Sequence, residues 1–114
     1  MNAQLFLEYT NRYDSILQSC PEKFREGKLE ARSGLPERSE EFTRCVLRYL
    51  NLCSEEFYLW KRGYLSSDIW NIWKDEIERT IGSPLFRREW DLIKNEFSAF
   101  REFEDYVNEI HRRS

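Results

Sequence analysis

Few side chains in this chain are equipped for acid–base or nucleophilic chemistry. There is one histidine, His111, close to the end of the sequence. A di-iron bundle needs Glu-x-x-His motifs from two helices, which a single histidine cannot supply. A hydrolytic triad needs an imidazole held firmly between nucleophile and acid, and a chain end positions such a group poorly. His111 is therefore read as an exposed cation at the negative, C-terminal end of a helix. Cys45 or Cys53 would need a base nearby to act as a nucleophile, and with one histidine that base is missing. Glu55 and Glu56 adjoin an apolar stripe. One of them could turn inward, where burial would raise its pKa and suit it to proton transfer. The reading favours water-facing positions for both, since neither can be matched with a second inward carboxylate. Arg12, Arg44 and Arg48 would form an anion-binding patch if the first two helices pack together, although surface solubility explains them more simply. The four glycines fall at helix punctuation, which leaves no glycine-rich phosphate loop. No catalytic residue, metal site or cofactor is expected.

The three cysteines, Cys20, Cys45 and Cys53, form no CxxC pair, and an odd count argues against a disulfide framework or zinc site. On one helix, positions 45 and 53 would lie about 12 Å apart, too far to bridge. Buried thiols in a reducing cytoplasm are the expectation. Glu8 and Arg12 interrupt any signal-peptide core at the start, and no apolar run approaches the ~20 residues of a membrane span.

The elements that must position these groups are helices. Apolar residues recur at steps of three and four almost throughout. Leu5, Tyr9, Tyr13, Ile16 and Leu17 mark a helix over 3–19. Residues 20–37, broken by Pro21, Gly27, Gly34 and Pro36, are read as a long charged connection. Phe42, Val46, Tyr49, Cys53, Phe57 and Trp60 mark a second helix over 38–62, with Ser39 as N-cap and Glu40 and Glu41 at its positive end. Gly63 should close it in a Schellman motif that brings Tyr64 against Leu59. Ser66 should cap a third helix over 67–81, with Leu65 and Trp70 forming a hydrophobic staple. "GYLSS" is thus a tight corner between antiparallel helices. Ser83 and Pro84 open a fourth helix lined by Phe86, Trp90, Ile93 and Phe97. Ser98 offers a break, and a fifth helix over 99–112 carries Phe100, Phe103, Tyr106, Val107 and Ile110. Whether the last two are one bent helix is left open.

These patterns predict an all-α bundle of four to five helices, a single domain over 1–114. At 114 residues such a chain hides roughly 65% of its unfolded surface, enough to fold without staples. Aromatics make up 16% of the chain and supply the core. With 18 Lys and Arg against 21 Asp and Glu, bulk charge does not attract a polyanion. Trp60, Trp73 and Trp90 lie on apolar stripes and are expected in the core. Trp70 sits beside the corner and is expected to be half exposed, at an interface where tryptophan is enriched. The interface candidates are Trp70, Tyr64, Phe24, Arg87 and Arg88.

The stretches "LFLEYTNRYDSIL", "YLNLCSEEFYLWKRGYLSSDIWNIWKDEI" and "FRREWDLIKNEF" resemble small helical domains of unknown function from cyanobacteria and other bacteria. Some of those domains are attached to membrane anchors. The resemblance covers about two thirds of the chain and implies a helical fold and a bacterial protein; the cytoplasm is the expectation from the thiols and the interrupted apolar runs. It implies no site residues. The leading functional reading is a non-catalytic module that binds another protein or itself. A ligand-binding or enzymatic bundle with an inter-helix pocket ranks second. Weak nucleic-acid binding through Arg87, Arg88, Arg112 and Arg113 ranks third.

Overall fold

A computed structural model describes residues 3–22, 24 and 35–113. Its helices are α1 (Ala3–Ser19), α2 (Glu40–Lys61), α3 (Ser67–Ile81), α4 (Pro84–Ile93) and α5 (Arg101–Arg113), with a 3₁₀ turn at Lys94–Phe97 between the last two. The all-α bundle predicted from the apolar spacing is the fold. Most of the 20–37 connection lies outside the described residues.

The helix ends follow from local chemistry. Ser39 accepts the Phe42 amide and Ser66 the Ile69 amide, each satisfying a donor the helix cannot. At the α2–α3 corner the Tyr64 amide donates to Leu59 O at 2.9 Å and the Gly63 amide to Trp60 O at 3.0 Å. These are the two bonds of the Schellman motif, and Gly63 takes the positive φ of 82° that they require. The Tyr64 ring, however, points to solvent, while Leu65 is buried. Ser83 occupies the N-cap of α4 with extended backbone, yet its hydroxyl makes no cap bond. Pro84 already removes one orphan donor there, and the Arg87 amide is satisfied by Ser83 O.

The fourth and fifth helices are separate. The 3₁₀ turn and the Phe100 amide's bond to Phe97 O redirect the chain before α5 begins. This displaces Phe100 from the apolar stripe onto the surface, while Phe103, Val107 and Ile110 are buried.

The core is aromatic. Phe57 meets Trp70, Phe103 and Tyr106, and Trp60 stacks on Trp70 with centroids 4.8 Å apart and planes 6° from parallel. The tryptophans divide differently from the expectation. Trp70 and Trp90 are buried; Trp60 and Trp73 are half-buried. Trp70 is only 2% exposed, because Trp60 stacks on it across the tight corner while Phe57 and Tyr106 pack against it.

α1 runs antiparallel along α2. Arg12 meets Glu55, Ser19 meets Arg48, and Cys20 forms a disulfide with Cys45. The disulfide corrects the expectation of three thiols: Cys20 and Cys45 are distant in sequence but face each other once α1 packs on α2. Cys53 lies outside it and is buried.

Candidate functional site

Two helical stripes face each other across the α1–α2 seam. On α1, Gln4, Leu7, Glu8, Asn11, Arg12 and Ser15 recur at steps of three and four; on α2, so do Arg48, Asn51, Glu55, Tyr58 and Arg62. Between them runs an open groove of about 1540 Å³, closed at one end by Tyr64 and residues 99–102. That volume exceeds a typical small-molecule cleft of about 300–1,000 Å³.

At the 99–102 end the groove wall carries three exposed apolar side chains among charged ones. Leu7, Tyr64 and Phe100 are 59%, 70% and 47% exposed, and all three line it. Tyr58 forms the base of this end. Its hydroxyl accepts the Phe103 amide at 3.3 Å, its ring lies 6.0 Å from Phe100, and the Arg62 guanidinium sits 4.8 Å above it. Tyr58 thereby ties the start of α5 to α2 and fixes where Phe100 stands.

The middle of the groove is an ion pair. Arg12 grips Glu55 through two bonds of 2.8 and 2.9 Å, and the Tyr9 hydroxyl donates to the same carboxylate at 3.0 Å. The Arg12 bonds hold Glu55 below the usual carboxylate range. Burial, and then the bond to Glu55, push Tyr9 up to about 12, so it remains a phenol. Glu55 is therefore an ionised, occupied acceptor. At the far end Arg48 donates to the Ser19 hydroxyl at 2.6 Å and has no carboxylate partner among the described residues.

Under α1, on its other side, lies a second polar cluster. Glu76 on α3 accepts from Tyr49 at 2.8 Å and Thr80 at 2.7 Å, and Tyr13 of α1 also bonds to it. Glu56 lies beside it, 5% exposed. Burial, then the charge of Glu76, raise Glu56 to about 8, with Arg12 partly offsetting them. The expectation that Glu55 and Glu56 both face water is corrected for Glu56. α1 and α3 close over it, which α2's own periodicity could not show. Glu56 supplies the inward carboxylate that a ligand-binding bundle would need, but it does not line the groove.

The interface candidates from the sequence scatter. Trp70 and Phe24 are corrected to core positions, Phe24 against Phe86 at 6.1 Å. Arg87 donates to Gly82 O and His111 O. Arg88 donates to Pro36 O and pairs with the fully buried Glu89, which also accepts from Thr43. Both arginines thus join parts of this chain. Only Tyr64 stands free at the groove. Arg112 and Arg113 pair with Glu109, and Arg113 also with Glu78. His111 is half-buried rather than exposed. Its Nε2 lies 2.9 Å from Ile81 O, and a carbonyl can only accept, so this nitrogen carries the proton. Burial, and then Arg87, lower its pKa.

Sequence reasoning missed the groove because its α2 stripe is mostly polar and looks like a solvated face. The available signals were Tyr58 and Leu7 interrupting polar stripes, together with Arg12 and Arg48. Among the described residues no group of three or more His, Cys, Asp or Glu is arranged for a metal, and no helix is long and apolar enough to cross a membrane. Compared with known protein families, with curated proteins and with solved structures, the chain matches none.

Proposed function

We propose that this protein is an interaction module that holds an apolar-bearing segment of a partner protein in the α1–α2 groove. The observation that carries this reading is the convergence of Leu7, Tyr64 and Phe100, otherwise costly to leave in water, on one open groove of about 1540 Å³. The groove offers hydrogen bonds, apolar walls and an ionised pair, which are means of recognition. A bacterial source and a cytoplasmic setting belong to the same proposal.

The test places a photoreactive side chain at Leu7 or Tyr64 and, as control, at the exposed Ile72 in α3. One protein cross-linked from the groove positions, and lost with Phe100→Asp, is the expected result. Equal cross-linking from Ile72 would overturn the groove as the site. Light scattering that shows a dimer dissolved by Phe100→Asp would instead make a second copy the occupant.

A further inference from the structure

The groove is polarised, and the polarity describes its occupant. Four arginines and three glutamates line it, one positive charge in excess, although the whole chain carries −3. Arg12 and Glu55 cancel each other. At the apolar end Arg62 and Arg101 are matched in number by Glu8 and Glu102. The excess therefore sits on Arg48 at the opposite end, bonded to a neutral serine hydroxyl. A guanidinium held by a neutral partner keeps its charge available for a carboxylate. Asn11 and Asn51 lie along the groove between the ends and can bond a peptide backbone.

Resting on the reading above, we infer that the groove selects a partner segment with an apolar side chain at the Leu7–Phe100 end and a carboxylate at the Arg48 end. From Tyr58 to Arg48 is ten residues of α2, about 15 Å along the axis. An extended chain spans that in about five residues. The motif is thus a Phe or Leu followed or preceded, about five residues away, by Asp or Glu.

The test uses nonapeptides with Phe five residues from a Glu-Glu pair, in both chain directions, and the same peptides with Lys-Lys. Binding is measured by calorimetry and mapped by amide chemical shifts. The acidic peptide of one direction should bind about threefold to tenfold more tightly than its lysine version. Shifts should appear near both Arg48 and Phe100. Arg48→Glu should reverse the preference, and Arg48→Gln, which keeps a donor for Ser19, should abolish it. Equal binding of acidic and basic peptides, an unchanged preference in Arg48→Gln, or no binding by any peptide would overturn the inference. If groove cross-linking succeeds while these peptides fail, the polarity is wrong and the groove reading stands. If acidic peptides bind with shifts confined to other surfaces, both fall.

Discussion

Glu56 is an enclosed carboxyl whose ionisation the fold opposes. Its pKa of about 8 lies above its unfolded value near 4.5, so the folded chain holds a proton that the unfolded chain releases. Its contribution is fully favourable below the unfolded value and is lost as pH rises through about 8. The groups facing it are Glu76 from α3, Arg12 from α1 and Glu55 on its own helix. Glu56→Gln should therefore flatten the loss of stability between about pH 5 and 9. At pH 9 it should be the more stable protein by on the order of a few kcal/mol. Urea titrations of both proteins at pH 6 and pH 9 measure this; equal losses would show that Glu56 ionises freely. His111 works in the opposite sense. Its folded pKa is lowered, so its contribution is present above pH 6.5 and falls away in acid. His111→Gln should lessen the fall in melting temperature below pH 6, and an unchanged acid limb would refute the assignment.

At the scale of elements, the α2–α3 corner shows how little sequence is needed to fix a chain reversal. Gly63 has no heavy atom within 4 Å of where a Cβ would sit, so substitution there meets only backbone strain. Gly63→Ala should cost about 1 kcal/mol from the left-handed conformation alone. Ser66→Ala should cost about 1 kcal/mol through the lost bond to the Ile69 amide. The two changes lie on one turn, so their combination need not be additive. Chemical denaturation of the two single variants checks the values, and a neutral Gly63→Ala would mean that the turn relaxes. The corner, Ser39 and Pro84 were legible because caps act within a few residues. Ser98 likewise signalled a break. It could not show that a 3₁₀ turn would carry Phe100 to the surface, since that depends on where α5 docks.

For the whole molecule, α1 is placed by its packing along α2. Two of its seventeen residues, Tyr9 and Ile16, are buried. Beyond them it is tied by Arg12 to Glu55, by Ser19 to Arg48, by Phe6 against Trp73 at 5.5 Å and by the Cys20–Cys45 disulfide. The disulfide spans 25 residues of sequence, and closing a loop of that size restricts the unfolded chain by about 3 kcal/mol. Oxidised protein should be more stable than reduced by roughly that amount in paired urea titrations. Cys20→Ser should abolish the difference and Cys53→Ser should preserve it. Because α1 forms one groove wall, its amide exchange should also quicken on reduction; identical exchange in both states would show that side-chain contacts alone hold the wall.

The sequence by itself determined the helices, their ends and most of the core, because a 3.6-residue period and a capping hydroxyl are properties of one segment. It also marked Arg12, Arg44 and Arg48 as an anion-binding patch conditional on packing, whereas the packing gives Arg12 to Glu55 and Arg48 to Ser19. The tertiary structure alone decided that Cys20 meets Cys45, that Glu56 is enclosed, that Trp70 is covered, and that Leu7, Tyr64 and Phe100 share one groove. Each of these depends on how one helix is rotated and placed against another. That rotation is set by the summed burial of several stripes at once, and no single stretch of residues encodes it.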